Sequence, residues 1–475
     1  MLLLSYRRYI ALLIVVFVTC FILLLHDLDH LRRYNLVHLS PSPRVESPPA
    51  VLSLPHDYDL VGTSETVWCQ ERFGTRYLEN ARDFSASFCT DESTSRFTCF
   101  FSHTAADNPP RIDSMCYGHR AVFDESLHRF RLGCDIQSPT SDEMARGVPM
   151  PTELSRYWYE TGPGFVMNEA VLLDSAVSKG PSQITTILVK REGSSNVWHS
   201  LMEIMSLSWS LDVLQIGADT ETGNPFLSPE AGPTTQVVLL DNHEDGPFID
   251  MWKLFSKMPI RRIQELNESE PLSDIIIPFA GGSNPLWQGD WEDIVCRDST
   301  LVKTFSSRVL SLYGVATPIK ENNKVIVTYI RRANTRKLIN EDAHMEALRN
   351  EIPNMILNVV DFAAISFAEQ LKIVRETDLL VGVHGAGLTH LMFLQPGSAV
   401  LEILPEGFQH KGFRNLAQML GISFFRAHAK MHGDASGNNQ WQFDAVELDQ
   451  QRFVELVDFG VRSLSNNGKK SYDIL

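Results

Sequence analysis

The sequence lacks a surplus of positive charge. It carries 42 lysine and arginine residues against 58 aspartate and glutamate residues, which gives a formal net charge of −16 at pH 7. Proteins whose main partner is nucleic acid present a concentrated basic surface, and here the basic residues form no run longer than a short pair. Nucleic acid is therefore excluded as the main partner. Any polyanionic ligand has to be bound by a small local group of donors.

Several catalytic signatures are also missing. No G-x-S-x-G or H-E-x-x-H segment is present, which argues against a serine hydrolase and a zinc peptidase. The full G-x-G-x-x-G fingerprint of a nicotinamide site is absent. No D-x-D metal triplet is evident in the folded part, because "DNHEDG" at 241–246 is acidic but lies in a loop after a predicted strand. The sequence therefore predicts no metal held by protein ligands.

Cysteine is scarce, at seven residues, and Cys20 lies in an apolar N-terminal run, which leaves an even six. Five of these six fall between positions 69 and 134, at spacings unlike the paired C-x-x-C ligands of zinc. An even set of this kind is typical of a disulfide framework in an oxidising compartment. We predict structural disulfides, with the pairing left open, among Cys69, Cys89, Cys99, Cys116, Cys134 and Cys296.

One long uncharged apolar run is present at the N-terminus, from Tyr9 to Leu25, and Arg7 and Arg8 precede it. A run of this length can cross a thin early-secretory bilayer, and positive residues favour the cytosolic side of a membrane anchor. We predict that residues 1–26 form a cytosolic tail and an uncleaved transmembrane anchor.

The alternative to an anchor is a signal peptide, for which Val18 and Cys20 are small enough to form a poor cleavage site. Residues 27–66 are polar and rich in proline and serine, which is typical of a stem next to a membrane. The predicted topology is single-pass type II in the Golgi or endoplasmic reticulum membrane. The remainder of the chain then lies in the lumen.

The folded part is long enough to bury large cores. A β-rich section with five cysteines opens it, and apolar β-branched runs then alternate with helical patterns in 184–320 and again in 324–460. Strands that alternate with helices predict parallel sheets covered on both faces. We therefore predict an α/β protein with two Rossmann-like domains facing a cleft, at 67–320 and 321–475.

The predicted strands are "ITTILVK", "TTQVVLLD", "DIIIPFAGG", "KVIVTYI", "MILNVVDF", "DLLVGV" and "SAVLEILP". The predicted helices include "NVWHSLMEIMSLSWSLDVLQ", expected to be amphipathic, "FIDMWKLFSKM", "STLVKTFSSRVLSLYGV", "EDAHMEALRNEI", "SFAEQLKIVRETD" and the short "GLTHLMFL".

The segment "LLVGVHGAGLTH" at 379–390 joins a predicted strand directly to a helix. Such a turn directs free backbone N–H groups of the helix N-terminus out of the carboxyl edge of the sheet, where they attract phosphate. Gly385 and Gly387 let a diphosphate approach the backbone closely, with Ala386 between them, and His384 is able to donate a hydrogen bond to the same oxygens. Taken alone, the glycines have an equally good steric explanation.

Three further features favour a site for a nucleotide diphosphate. Glu402 follows on the next predicted strand, where a carboxylate is able to accept hydrogen bonds from ribose hydroxyls. Arginines bind phosphate in a bidentate manner, and three of them lie in one loop after a predicted strand. His199 lies one turn into a predicted helix and is a candidate for the same cleft. The three arginines are Arg331, Arg332 and Arg336.

"DLLVGVHGAGLTHLMFLQPGSAVLEILP" resembles the hallmark segment of the family 61 glycosyltransferases. "YIRRANTRKLINE" is similar to the arginine-bearing loop of that family, and "NVWHSLMEI" to its Asn-x-aromatic-His helix start. The resemblance implies a GT-B fold, an inverting transfer from a UDP-sugar, and lumenal type II topology. It makes Arg331 or Arg332, together with Arg336, His384 and Gly385 to Gly387, candidates for donor binding. Asn196 and His199 are implied to line the cleft.

An inverting transfer needs a base for the acceptor hydroxyl and stabilisation of the departing UDP, which arginines and helix N–H groups supply without a metal. We predict His199 as the base, with Asp241, Asp290 and Glu292 as alternatives. The predicted partners are a UDP-sugar and a glycoprotein or glycan acceptor. N-acetylglucosamine and xylose both remain open as the sugar, and Mn²⁺ as an added ion. The competing hypothesis is a catalytically inactive lumenal glycan-binding protein.

Overall fold

The computed structural model describes residues 52–58, 65–103, 111–174, 180–318, 324–432, 442–465 and 472–474. The predicted anchor, Cys20 and most of the predicted stem lie outside these residues. Within the described ranges, no helix has both the length and the apolar character needed to cross a membrane.

The first sheet has nine strands in the order β1-β2-β3-β9-β6-β7-β8, with β4 paired to β3 and β5 paired to β4. The four strands β9, β6, β7 and β8 are parallel neighbours, as predicted. The strands of the β-rich opening section, β1 to β3, pair antiparallel, and β3 also joins β9 antiparallel. In the described residues no crossover helix lies between these early strands, and short connections of this kind give antiparallel pairs. The strands are β1 Ser85–Ser87, β2 Arg96–Ser102, β3 Asp113–Asp124, β4 Arg129–Gly133, β5 Val171–Asp174, β6 Ile184–Val189, β7 Thr235–Leu239, β8 Arg261–Arg262 and β9 Ser273–Ile277.

The second sheet has the order β11-β10-β12-β13-β14-β15, with β16 also paired to β14. Its strands from β10 to β14 are parallel, as the alternation of strands and helices predicted, and only β15 is antiparallel among the described pairs. The strands are β10 Val325–Ile330, β11 Met355–Val360, β12 Leu379–Val383, β13 Ala399–Pro405, β14 Ser423–His432, β15 Ala445–Glu447 and β16 Tyr472–Ile474.

Helices cover both sheets. The α-helices are α1 Val67–Phe73, α2 Arg76–Asp83, α3 Ser141–Ala145, α4 Pro163–Ala170, α5 Val197–Ile216, α6 Pro285–Gln288, α7 Thr300–Leu312, α8 Glu341–Glu351, α9 Phe367–Glu376, α10 Gly412–Met419 and α11 Gln450–Ser463. The 3₁₀ helices are His56–Tyr58, Pro151–Glu153, Trp158–Glu160, Gly232–Thr234, Ile249–Leu254, Ile263–Glu265, Gly281–Ser283, Phe362–Ala364 and Ala386–Phe393.

Helix α5 is buried along almost its whole length, so the prediction that it is amphipathic is wrong. Several serines and acids of this helix have hydrogen-bond partners inside the protein. Ser210 donates to the carbonyl of Ser206 at 2.8 Å, and Asp212 accepts from Arg308 at 2.7 Å. Buried polar groups of this kind are tolerated because they are hydrogen-bonded.

All six cysteines of the folded part form disulfides, which confirms the prediction of a structural framework. Cys89 pairs with Cys134 and Cys99 with Cys116, both within the opening β-rich section. Cys69 pairs with Cys296 and thereby ties α1 to the segment after α6.

That segment is also held by α10 of the second half. The side chain of Asn415 accepts from the backbone N–H of Ile294 at 3.3 Å and donates to the carbonyl of Gly289 at 3.1 Å. Gln418 donates to the carbonyl of Cys296 at 2.8 Å. These bonds are buried, so they fix the position of one half's loop on the other half's helix.

Candidate active site

The second sheet changes direction between β10 and β12. The chain passes from β10 to β11 on one side and then returns to β12 on the other, so the loops after β10 and β12 diverge and leave a crevice at their carboxyl ends. Ligands of parallel α/β sheets bind at this kind of topological switch point. Two loops form the crevice. The loop after β10 carries Arg332 and Arg336 and is called the arginine loop, and the turn after β12 carries Gly385 and Gly387 and is called the glycine turn.

Arg332 and Arg336 converge on Gly385 in this crevice. A Cβ atom added to Gly385 would overlap Arg332 Nη1 and lie 2.9 Å from Arg336 Nη2, and Gly385 has a φ of 152° that favours glycine. Arg336 itself has a φ of 52°, and its backbone N–H donates to the carbonyl of Phe443 at 3.2 Å. Strained residues of this kind are concentrated at functional sites.

The two guanidinium groups sit in an environment that disfavours their charge. Burial, followed by repulsion from Arg332, lowers the pKa of Arg336 to about 10. Burial also lowers the pKa of Arg332, whose guanidinium donates to the carbonyl and the hydroxyl of Thr335 at 2.9 and 3.3 Å. An anion placed between the two groups relieves this repulsion, so the arrangement is suited to bind one.

Arg331 points elsewhere. Its guanidinium forms ion pairs with Glu341 and Asp342 at the start of α8, and its side chain is 42% exposed. Of the two arginines that the sequence left as alternatives, Arg332 is therefore the one that faces the glycine turn.

His384 lies at the end of β12 and is buried together with Glu402. Its Nδ1 lies 2.6 Å from Glu402 Oε1, because Glu402 occupies the adjacent position on β13, opposite Gly382. Burial raises the pKa of the Glu402 carboxyl to about 8. Burial lowers the pKa of His384, and His410, Arg336 and Arg332 lower it further.

These shifts leave the pair neutral around pH 7, with the proton on Glu402 donated to Nδ1. The other ring nitrogen of His384, Nε2, then carries a hydrogen that it is able to donate. Glu402 is only 1% exposed and lies behind His384, so this geometry does not support the predicted contact between Glu402 and a ribose.

The first sheet has a corresponding switch point between β6 and β9. Asn196 ends the loop after β6 and caps α5, since its side chain accepts from the N–H groups of Trp198 and His199 at 3.0 and 3.5 Å. The cap fixes the first turn of α5 and thereby orients His199. The ring of His199 lies 4.5 Å from that of Trp287, which follows β9.

The two switch points open onto one cavity of about 730 Å³. Its lining includes Asn196 and His199 from the first half and Arg336, His384, Gly385 and Ala386 from the second. A neighbouring cavity of about 440 Å³ is bordered by Arg331, Arg332, Asp361, Phe362, Ala386 and Gly387. The two cavities share Ser195, Thr335 and Ala386. The structure therefore brings the predicted donor-binding residues, Asn196 and His199 to one cleft, except for Glu402, which lies behind it.

Sequence reasoning missed His410 and the aromatic side chains of the cleft. His410 Nε2 lies 3.2 Å from Asp290 Oδ2, and its ring lies 4.9 Å from that of His384. The loop "EGFQHKGF" after a predicted strand was the signal that could have indicated it. The aromatic lining consists of Tyr159, Trp198, Trp287, Trp291, Phe413 and Phe443.

The alternative bases differ in their surroundings. Asp241 is buried in an ion pair with Arg191 at 2.8 Å, and bonds from Arg191 outweigh burial and lower its pKa. Glu292 is exposed and borders a different, small cavity. Asp290 lines the main cavity but is paired with His410. His199 is the candidate with a side chain in the cavity and a carboxylate behind it.

Fold and site together define an α/β protein of two sheets, with a cleft at their carboxyl ends whose arginine pair is suited to bind an anion. The model of the family described as Glycosyltransferase 61 matches residues 242–401, which include both arginines and the glycine turn. Over these residues the chain belongs to glycosyltransferase family 61.

The chain is similar to several proteins described as EGF domain-specific O-linked N-acetylglucosamine transferase. The Drosophila melanogaster relative is 25% identical over 306 residues, which are 60% of this chain and 55% of the relative. The Mus musculus relative is 27% identical over 293 residues, 57% and 51% of the two chains. The Gallus gallus relative is 28% identical over 438 residues, 86% and 77%. The chain thus spans about half the length of the fly and mouse relatives.

Proposed function

We propose that the protein is an inverting glycosyltransferase that transfers a sugar from a UDP-sugar to a hydroxyl group of a glycoprotein or glycan. The observation that carries the proposal is the convergence of Arg332 and Arg336 on Gly385 at a topological switch point. A diphosphate is bound by three features together: two guanidinium groups, a glycine that allows close approach to the backbone, and the first N–H groups of a helix.

The two cavities supply room for the two ends of the donor. The nucleoside occupies the cavity of about 440 Å³, where Asp361 offers a carboxylate and Phe362 an apolar surface. The diphosphate lies at Arg332, Arg336 and Gly385, and the sugar extends into the cavity of about 730 Å³. The residues shared by the two cavities make this path continuous.

The transfer has two requirements, and they fall on opposite sides of the cleft. His199 accepts the proton of the acceptor hydroxyl as the new C–O bond forms at the sugar. The bond from the sugar to the phosphate oxygen breaks, and its electron pair leaves with UDP. Arg332, Arg336 and the Nε2–H of His384 stabilise the charge that develops on that oxygen. Attack from the side opposite the leaving group inverts the sugar carbon.

Two Rossmann-like halves that face a cleft favour a GT-B assignment. The fly and mouse relatives are described as EGF domain-specific O-linked N-acetylglucosamine transferases, which favours N-acetylglucosamine over xylose as the sugar and an EGF-like domain as the acceptor. Three disulfides favour an oxidising lumen, which agrees with the predicted type II anchor and with a Golgi or endoplasmic reticulum location. The arginine pair stabilises the leaving group, so the proposed reaction requires no metal. The test below is therefore carried out both with and without Mn²⁺.

The test is a panel of UDP-sugars, including UDP-N-acetylglucosamine and UDP-xylose, offered to the full-length chain in detergent with EDTA or with Mn²⁺. UDP is expected to raise the unfolding temperature, and one donor is expected to release UDP. The proposal is wrong if no UDP-sugar changes the unfolding temperature and none is consumed. UDP binding without turnover of any donor, with or without acceptor, would favour the inactive alternative.

A further inference from the structure

A buried carboxylate lies directly behind His199. Glu192 follows β6, its side chain has no exposed surface, and its Oε2 lies 3.0 Å from His199 Nδ1. Both carboxylate oxygens are buried. The side chains of His199 and Trp158 lie close enough to lower the pKa of Glu192, but neither oxygen makes a well-aligned hydrogen bond to a described residue. Catalytic contacts in proteins without ligand are often loose in this way, and they tighten when substrate binds.

A second carboxyl group lies beside the first. Glu203 is one turn after His199 on the same face of α5, and its Oε1 accepts a hydrogen bond from the backbone N–H of Glu192 at 2.6 Å. Gly281 is the neighbour that leaves room for this pair, because a Cβ there would lie 2.7 Å from Glu203 Cγ. The loop after β6, helix α5 and the loop after β9 therefore together enclose the pair.

The charges around the pair decide where a single negative charge sits. Burial raises the pKa of Glu203 well above its ordinary value, and the neighbouring Glu192 and Asp241 raise it further. Arg191 opposes this effect only in part, since its guanidinium is paired with Asp241. Burial also raises the pKa of Glu192, but His199 and Trp158 act in the opposite direction. Glu203 thus holds its proton more firmly than Glu192, and the negative charge belongs beside His199.

We propose that Glu192 is a positioning residue for His199, with Glu203 as its protonated neighbour. Glu192 accepts the hydrogen of Nδ1 and so fixes the tautomer in which Nε2 presents a lone pair to the cavity. When Nε2 takes the proton of the acceptor hydroxyl, the negative charge of Glu192 stabilises the imidazolium that results. The proton leaves Nε2 for solvent after UDP departs, and Glu192 itself remains ionised throughout. This proposal rests on the proposed function of the site.

A purely structural role does not explain the arrangement. A buried carboxylate without aligned hydrogen bonds lowers stability, and an apolar residue of similar volume is commonly as stable or more so. Features that cost stability are expected where function requires them. Here the loss of folding stability arises next to His199, the one histidine of α5, at the edge of the cleft.

The test compares Glu192→Gln with the wild-type full-length chain. Glutamine keeps the size but is able to donate to Nδ1, which selects the wrong tautomer. The analogous loss of tautomer control lowers kcat by about 10⁴-fold in serine proteases, so a fall on the order of 10²-fold or more is expected. The acidic side of the residual kcat profile is expected to move to lower pH, because the imidazolium loses its counter-charge. UDP affinity is expected to stay within about twofold, since Glu192 lines neither cavity of the cleft.

The matched control is Glu169→Gln, which removes another carboxylate of the same half, paired with Lys190 and partly exposed. It is expected to leave kcat and its pH profile as in the wild type. A Glu192→Gln variant with wild-type kcat and pH profile would overturn the inference while leaving the proposed function intact.

A second measurement is independent of turnover. The ¹⁵N shifts of labelled histidine, assigned to His199 by comparison with His199→Gln, report the tautomer directly. A neutral Nδ1–H form in the wild type is expected, and an Nε2–H form would overturn the inference even if no donor is turned over. Failure of the wild type to bind UDP or consume any donor would instead overturn the proposed function.

Discussion

The two switch points of the molecule have the same topology but opposite chemistry. In the second half, Arg332 and Arg336 meet a glycine turn, and the surroundings lower the pKa of both guanidinium groups. In the first half, Glu192 and Glu203 are buried behind His199, and the surroundings raise the pKa of both carboxyl groups. One side is suited to receive negative charge and the other to receive a proton. A transfer reaction needs both, and the fold keeps them on opposite sides of one cleft.

Arginine is present on both sides, which makes the comparison sharper. Arg191 of the first half is enclosed by Asp241, with its guanidinium 2.8 Å from the carboxylate. Arg332 donates to the carbonyl and hydroxyl of Thr335 and forms no ion pair among the described residues. The first arginine is therefore part of the scaffold, whereas the second keeps its charge available for a ligand.

The two histidine–carboxyl pairs differ in the same way. The proton of the His384 pair rests on Glu402, so His384 presents an N–H to the cleft. The proposed proton of the His199 pair rests on Nδ1, so His199 presents a lone pair. The same two groups thus serve as a donor in one half and as a base in the other, because their surroundings differ.

The largest effect is expected from Arg336→Ala, which removes half of the anion site. Turnover of the UDP-sugar is expected to fall about 10²- to 10³-fold, since the guanidinium stabilises charge that develops on the leaving oxygen. UDP affinity, measured by calorimetry, is expected to fall with it. Arg336→Lys keeps the charge but loses the fork, so an intermediate loss is expected. Full activity of Arg336→Ala would remove the basis for the contrast between the two switch points.

The next effect is expected from Gly385→Ala. The new Cβ would overlap Arg332 Nη1, and the φ of 152° is unfavourable for alanine, so the guanidinium groups have to move apart. UDP affinity is expected to fall about tenfold or more, because a small misplacement of charged donors is costly. Gly232→Ala is the matched control, since its Cβ would meet only Lys257 Cγ, at 3.8 Å. Equal UDP affinity in both variants would contradict a role for close approach.

The elements of the second half were predictable because strands β10, β12 and β13 are apolar runs that end at glycine, arginine or proline signals. The elements of the first half were less predictable, because the antiparallel pairing of β1 to β3 depends on contacts between segments that are distant in sequence. The site residues divide in the same way into those that a local sequence pattern predicts and those that it does not. The glycine turn and the arginines form a local pattern, whereas Glu192 approaches His199, and His410 approaches Asp290, only through tertiary packing. The sequence pattern indicates Glu402 as a site residue, but its position behind His384 depends on strand register, which the sequence alone does not give.

A smaller, pH-dependent effect is expected at Glu402. Its carboxyl has a pKa of about 8, so the pair of Glu402 and His384 loses one proton as the pH rises through that value. The hydrogen that remains lies on His384 Nδ1, where it is donated to the Glu402 carboxylate. Nε2 then carries no hydrogen to donate to the ligand. His410, Arg332 and Arg336 face His384, and His410, Arg426 and His428 act on Glu402. Wild-type turnover is therefore expected to fall above about pH 8.

Glu402→Gln tests this expectation, because a glutamine donates to Nδ1 at any pH. The decline on the alkaline side is expected to disappear in this variant, with a loss at neutral pH smaller than that of Arg336→Ala. Turnover is measured between pH 6 and pH 10, with unfolding temperature recorded at each pH. A decline that persists unchanged in Glu402→Gln would assign the alkaline titration to another group.

The smallest effect is expected from Arg331→Ala, although Arg331 is next to Arg332 in the same loop. Its guanidinium is paired with Glu341 and Asp342 near solvent, and exposed ion pairs contribute about 0.2–1 kcal/mol. Unfolding in urea is expected to show a loss within that range, and UDP affinity is expected to change by less than about twofold. A loss of UDP affinity as large as that of Arg336→Ala would mean that Arg331 leaves its partners and turns towards the donor. The position of the anion site would then depend on the ligand, and the contrast with Arg191 would hold only for the protein without donor.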